Sequence, residues 1–494
     1  MDVLERVLYS AAKYHACPAI VTEYNTLTYA ELIARAYGFA ACFAKSALDP
    51  KVLVGLPQSA DAYAAILGAG LAGGIYTPLN LSAPPHKLKR IASLLQPDVI
   101  VASSPVAEIL KDAAPRADLI DPGSVPPLSA APEIRPRNER AYILFTSGST
   151  GDPKGVVIPR AAFNNYVDWL ETFNITSEDR CSQHANLAFD ISATDIYGAL
   201  CFGASLHPLV SNTDRLMPAR MIAREGITIW NSVPSVISLM MQGRQLTSKN
   251  LASVRLFNFI GEPLLPQQVE ALFEAAPRAK IQNTYGPTEA TVSLTELPLT
   301  RENLNDVSRA SVALGNPIPN TGLILVGGSH PDEGEIVLLG TQLAEGYLND
   351  PEKTAKSFRM IELGGRKERA YFTGDLAERI NGNIYFKERA DFQVKIKGYR
   401  IELDEIAAAI RSAGWLVPCV IKRDETLVAI VESHLGMTLD EASLRDQLAL
   451  LLEPHAVPEA IYEIERMPRN ENDKIDRRAA AVWLDNHLSR VARR

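Results

Sequence analysis

Cysteine is scarce in this 494-residue chain: Cys17, Cys42, Cys181, Cys201 and Cys419 are scattered, with no C-x-x-C pair. That argues against a cysteine metal cluster or a disulfide framework and fits a reducing cytoplasm. The eight histidines are dispersed and form no His-Glu-x-x-His, so the zinc-hydrolase pattern is missing. A basic excess is missing too. The net charge is −8, which argues against a nucleic-acid partner. Ala62–Leu79 is uncharged, but four glycines and a proline interrupt it, so it reads as a core helix running into a strand, not a membrane span. The opening MDVLERVLYSAAKYH places charges inside its would-be apolar core and is an amphipathic helix instead of a secretory leader. No fixed-period repeat or low-complexity tract is present.

What is there is ordinary globular composition in a chain too long for one core, which predicts at least two domains. Helical patterns such as LTYAELIARAYGFAACFAK alternate with short buried runs such as PDVIVAS, ITIWNSV and VRLFNFIG through roughly the first three hundred residues. Such alternation predicts parallel sheets covered by helices. From about Gly322 the texture changes to hairpins, with Asn381-Gly382 as a turn. Past Arg389 a smaller segment follows: DFQVKIKGYRIE as paired strands, then LDEIAAAIRSAG as a helix. The boundary falls near Glu388–Asp391, dividing the chain into 1–388 and 389–494.

The stretch FTSGSTGDPKG (Phe145–Gly155) sets three glycines, four hydroxyls and one lysine directly after the apolar strand RAYILF. Backbone N–H groups in such a loop form a concave nest, hydroxyls add donors and lysine adds charge, so the loop is suited to an anion. It is neither standard phosphate loop: Lys154 is followed by glycine, not Ser or Thr, and no third glycine completes a dinucleotide fingerprint. Further on, NTYGPTEATV puts an aromatic, a turn and a carboxylate in a row after a strand, and YFTGDL places Asp375 after a Thr-Gly turn. RADFQVKIKGYRIELDEI and PRNENDKIDRRA each carry lysines among polar loop residues.

Together and in this order, from LTYAEL and LAGGIYTPLN through GEIVLLGTQLAEGYL to Lys474, these motifs closely resemble the adenylate-forming superfamily, above all its amino-acid-activating adenylation domains. The resemblance covers nearly the whole chain. It implies an α/β fold with a large N-terminal domain of helix-covered sheets plus a distorted β-barrel, and a small mobile α+β C-terminal domain. It implies a ligase in which a carboxylate attacks the α-phosphate of ATP, releasing pyrophosphate, before a thiol displaces AMP. Such catalysis is chiefly positioning and charge neutralisation.

Residue by residue, the resemblance implies that the loop Thr146, Ser147, Gly148, Ser149, Thr150, Gly151 and Lys154 wraps the β- and γ-phosphates. Tyr285 would stack on adenine and Asn283 would bond its amino edge, with Gly261, Glu262 and Pro263 on the other side and Gly286 beside Tyr285. Thr288 would bond the α-phosphate, Glu289 would bind Mg²⁺, and Asp375 with Arg389 would hold the ribose. Lys474 would reach both the substrate carboxylate and the bridging oxygen at the α-phosphate. The chain departs from the pattern at Asp473, where relatives have glycine, and at Glu388, where many have glycine before Arg389. Asp391 matches the hinge about which the small domain rotates, and Gly398 would leave room for a pantetheine arm.

Asp190, in NLAFDISATDIYGAL, matches the position that pairs with a substrate ammonium, and a buried carboxylate there needs such a cation. The side-chain pocket would be lined by Ile191, Thr194, Asn231, Asn258, Ile260, Thr284, Val292 and Ser293. None is charged, and its polar groups would stand unpaired against a large apolar side chain. The expected substrate is therefore a small or polar uncharged amino acid. No carrier segment follows Lys474, which suggests a cytoplasmic, free-standing enzyme loading the phosphopantetheine thiol of a separate carrier protein. The alternative is a carboxylic acid–CoA ligase, against which Asp190 counts.

Overall fold

The computed structural model describes residues 1–494 except 24, 133–137, 148–151, 392, 434–437, 470–474 and 492–494. The chain forms two compact units. One comprises Met1–Leu81, Ile91–Phe145 and Gly155–Ala390; the other comprises Ser82–Arg90, Thr146–Lys154 and Asp391–Arg494.

The first unit contains a nine-stranded sheet. Its interior strands Pro18–Val21, Ser205–Pro208, Arg180–Gln183, Ile229–Ser232, Leu256–Phe259 and Lys280–Tyr285 run parallel in that spatial order. Every residue of Ile229–Ser232 and Leu256–Phe259 is buried, as expected where helices cover both faces. Thr28 starts the helix Tyr29–Ser46 through a capping box with Glu31, which satisfies backbone donors the helix cannot. The uncharged stretch from Ala62 is the buried helix Ala60–Leu71 followed by strand Ile75–Pro78. That strand belongs to a seven-stranded sheet in the order Gly346–Tyr347, Lys154–Pro159, Arg140–Thr146, Ile75–Pro78, Lys51–Gly55, Val99–Ala102, Asp118–Ile120.

A third, five-stranded sheet is antiparallel and holds Thr321–Gly327, Glu333–Gly340, Arg366–Ile380, Phe358–Leu363 and Asn383–Arg389. Asn381 and Gly382 both take positive φ, 51° and 83°, the geometry that a two-residue hairpin turn requires. Asp375 departs from expectation. It lies inside the fifteen-residue strand Arg366–Ile380 rather than after a turn. Gly374 adopts φ 75° within that strand and the ladder shifts register just beyond Asp375, so a local irregularity aims the carboxylate.

The second unit pairs Gln393–Ile396 with Tyr399–Glu402 through a turn at Lys397 and Gly398, whose φ values are 51° and 81°. Helix Leu403–Ser412 follows. Strands Pro418–Arg423, Thr426–Glu432 and Ala460–Ile464 form a second small sheet with helices Glu441–Leu451 and Arg477–Val491 nearby in sequence. Ile406, Ile410, Trp415, Val420, Ala429 and Leu448 fill its core. Within this unit the Lys87 ammonium is held between Glu405 at 3.2 Å and Glu453 at 3.0 Å. The five cysteines are free. No helix among the described residues is long and apolar enough to cross a membrane.

Candidate functional site

Open parallel sheets bind ligands outside the carboxyl ends of their strands. In the first unit that edge collects the polar residues singled out above. Asn231, Asn258 and Thr284 are each the last residue but one of the strands Ile229–Ser232, Leu256–Phe259 and Lys280–Tyr285. Asn231 and Asn258 are register partners, so their side chains share a face. Ile260, Gly261, Glu262 and Pro263 leave the end of the second of these strands. Gly261 has φ 97°, which only glycine adopts freely, and Glu262 accepts a bond from the Ser235 N–H at 2.9 Å.

Tyr285 ends its strand and is buried. Its hydroxyl donates to Asp375 Oδ2 at 2.6 Å, while Arg389 Nη1 donates to Asp375 Oδ1 at 2.5 Å. Arg389 also bonds the Thr373 carbonyl, and Thr373 Oγ1 accepts from the Asp375 N–H. Burial, reinforced by the Asp375 carboxylate, drives the Tyr285 phenol well above its ordinary pKa, so it stays a hydrogen-bond donor. Asn283 Nδ2 is committed to the Ala313 carbonyl at 2.9 Å, which leaves Oδ1 as the acceptor an adenine amino group needs. Tyr285, Asp375, Arg389 and Thr373 therefore form one hydrogen-bonded cluster, to which Asn283 is not bonded.

Past Tyr285 the chain is tightly packed. A Cβ on Gly286 would lie 2.5 Å from the Val292 carbonyl oxygen, so no side chain fits. The short turn Thr288–Ala290 follows, then Thr291 and Val292 at φ 54° and 69°, rare values for β-branched residues. Thr291 Oγ1 donates to the Gln342 carbonyl at 2.7 Å and helps hold this conformation, which sets Val292 and Ser293 in buried positions. Glu289 is fully buried and accepts a bond from the Tyr347 hydroxyl at 2.9 Å.

Asp190 immediately precedes helix Ile191–Leu200 and is half-buried, less enclosed than the sequence suggested. Thr288 Oγ1 donates to its Oδ2 at 2.7 Å. Two of the three pocket hydroxyls are also better served than expected, while Ser293 Oγ is buried without a hydrogen-bond partner. Thr194 Oγ1 bonds the Tyr166 hydroxyl at 2.6 Å, and Thr284 Oγ1 donates to the Phe259 carbonyl at 3.0 Å. Sequence reasoning missed Tyr166, Tyr347 and Asp195, the last of which accepts a bond from Asn231. Helical spacing could have revealed Asp195, since positions 191, 194 and 195 share one side of a helix.

In the second unit Ser147 Oγ donates to the Arg400 carbonyl at 2.8 Å, and Arg90 pairs with Asp152. Thr146 Oγ1 is buried without a hydrogen-bond partner. Lys154 begins its strand. Asp391 is exposed, and its Oδ1 accepts from the Gln393 N–H at 3.2 Å. Gly148, Ser149, Thr150, Gly151, Asp473 and Lys474 lie outside the described residues. Among the described residues no cluster of three or more His, Cys, Asp or Glu could hold a metal ion.

The chain is 31% identical over 448 residues to a D-alanine–D-alanyl carrier protein ligase of Bacillus cytotoxicus, covering 85% of this chain and 86% of that protein. It is 31% identical over 489 residues to zwittermicin A synthase ZmaJ of Bacillus cereus, covering 94% and 91%. Among solved structures it is similar to the Vibrio cholerae adenylation domain AlmE in complex with glycyl-adenosine-5'-phosphate. There the TM-score is 0.85, with 28% identity over 98% of both chains. Residues 8–348 match the family of AMP-binding enzymes. The family match over residues 8–348 and the likeness to the carrier protein ligase agree: the chain belongs to the AMP-binding enzyme family.

Proposed function

We propose that the protein activates an amino acid with ATP, forming an aminoacyl-adenylate, and transfers the aminoacyl group to the phosphopantetheine thiol of a carrier protein. The observation that carries this reading is the 2.7 Å bond from Thr288 Oγ1 to Asp190 Oδ2. The residue expected at the α-phosphate touches the residue expected at the ammonium. An amino acid needs that closeness, because its ammonium and its reacting carboxylate are joined through one carbon. The D-alanyl carrier protein ligase and glycyl-adenylate named for the relatives support the same class of substrate and acceptor.

In the first step a substrate carboxylate oxygen attacks the α-phosphorus, and the bond from that phosphorus to the bridging oxygen breaks with pyrophosphate as leaving group. Asp190 would hold the ammonium, which requires Thr288 to turn its hydroxyl from the carboxylate to the phosphate. Tyr285, Asn283, Asp375 and Arg389 would fix the nucleoside, so that positioning replaces a bimolecular encounter. The unpaired Thr146 hydroxyl suits a phosphate oxygen, and Lys154 would add charge to the same loop. Glu289, a buried oxygen ligand, suits Mg²⁺, which takes few protein ligands and uses phosphate oxygens for others. Mg²⁺ would there offset phosphate charge. Lys474 would stabilise charge at the α-phosphate. In the second step the carrier thiolate attacks the acyl carbon and AMP leaves. The free cysteines favour a cytoplasmic setting.

The test is loading of a phosphopantetheinylated carrier protein, read as a mass increase, against formation of acyl-CoA. Loss of Asp190 as alanine should raise the KM for the amino acid at least tenfold and leave that for ATP nearly unchanged. An unchanged amino-acid KM in a folded Asp190→Ala protein, or preference for CoA, overturns the proposal.

A further inference from the structure

The pocket residues on helix Ile191–Leu200 and the strand ends are not equally satisfied. Thr194 is bonded to Tyr166 and Thr284 to the Phe259 carbonyl, so those hydroxyls already have protein partners. Asn231 differs. Its Nδ2 donates to Asp195 Oδ1 at 2.9 Å, while its Oδ1 is buried with no hydrogen-bond partner. Asp195 is itself fully buried, and its Oδ2 is unpartnered as well. Buried polar atoms in folded proteins are nearly always paired, so an open acceptor at a candidate binding site points to a donor supplied from outside the chain.

Asp195 has the properties of a fixed support. It lies on the same helix as Ile191 and Thr194, at the spacing that puts the three on one side. Burial pushes its carboxyl well above the ordinary carboxylate range, and the Asn231 amide opposes this. Its contact with Asn231 fixes which end of that amide is committed.

We propose that Asp195 is a positioning residue for amino-acid selection: by holding Asn231 Nδ2 it leaves Oδ1 as the acceptor facing the substrate, so the enzyme selects an amino acid whose side chain carries a hydrogen-bond donor, a hydroxyl or a carboxamide. The inference rests on the amino-acid-activating reading and on Asn231 lining the side-chain pocket. It goes beyond that reading in requiring a donor on the substrate and in giving a role to a residue outside the pocket set. A pocket that hydrogen-bonds a substrate group rejects analogues lacking it far more strongly than an apolar pocket rejects an added hydroxyl.

The experiment is pyrophosphate–ATP exchange by the full-length protein on pairs of similar shape: threonine against valine, serine against alanine, asparagine against leucine. The best substrate should carry the donor and exceed its apolar counterpart by at least about 10²-fold in kcat/KM. Asp195→Leu should reduce that preference at least about tenfold through the amino-acid KM, with the KM for ATP within about twofold. Asp195→Asn keeps an acceptor for Asn231 and should retain the preference. If Asp195→Leu does not fold, Asp195→Asn and the wild-type pairs decide. An apolar member equal to or better than its partner overturns the inference while leaving amino-acid activation intact. Unchanged preference in folded Asp195→Leu overturns the role of Asp195. Exchange with no amino acid at all overturns the reading beneath it.

Discussion

The Tyr285 hydroxyl donates to Asp375 Oδ2 at 2.6 Å, across ninety positions of sequence, and Arg389 holds the other carboxylate oxygen. This arrangement ranks the residues proposed to hold the nucleoside. Asp375→Ala removes the acceptor that both partners serve and should raise the KM for ATP by at least about 10²-fold, in keeping with loss of charge-assisted bonds. Tyr285→Phe keeps the ring and leaves Asp375 bonded to Arg389, so the increase should stay under about tenfold. ATP titrations of the two variants check the order. Equal effects would mean that the hydroxyl, not the ring, is what matters at Tyr285.

Gly286 is a packing requirement. Because a Cβ there would sit 2.5 Å from the Val292 carbonyl, Gly286→Ala should destabilise the protein by about 1–3 kcal/mol. It should also disturb amino-acid affinity through Val292 and Ser293. Chemical denaturation with parallel exchange kinetics measures both. A variant of wild-type stability would show that the turn from Tyr285 to Ser293 can open without cost.

Much of this was legible beforehand, and the reasons differ by residue. The strands VRLFNFIG and ITIWNSV stand out because parallel strands covered on both faces are continuous apolar runs. The Asn381-Gly382 turn is readable because its two left-handed positions demand those residues. Asp375 stands out by its motif, but its setting inside a long strand does not, since such an irregularity depends on pairing across the sheet. The Thr194–Tyr166 and Asp195–Asn231 bonds join residues far apart in sequence, and side-chain pairing over such separations leaves no local pattern.

His207 gives the first unit an acid sensitivity. It is buried, and burial holds its pKa at about 4, below the ordinary 6.5, although Glu225 favours the charged form. A native pKa depressed in this way stabilises the fold above about pH 6.5. That contribution is lost as pH falls toward 4, because the unfolded chain takes up the proton more readily. Denaturant midpoints between pH 7 and 4 should therefore decline, and His207→Gln should flatten the decline by its share. An unchanged slope in the variant would remove His207 from the explanation.

The two lysines should separate by half-reaction. Lys474→Ala should reduce adenylation by about 10²–10³-fold, the usual cost of removing a preorganised charge where charge develops. It should leave thiol transfer from a supplied aminoacyl-adenylate largely intact. Lys154→Ala should act more mildly, through the KM for ATP and for pyrophosphate. Loss of thiol transfer by Lys474→Ala equal to its loss of adenylation would contradict that role.

The central claim is that the activated acid is an amino acid held by its ammonium. The most direct measurement is pyrophosphate–ATP exchange on a panel of amino acids, each beside the same acid without its amino group. The account predicts exchange with at least one amino acid and none above background with its deaminated counterpart, because Asp190 would then face no cation. Comparable exchange with the deaminated acid would contradict it.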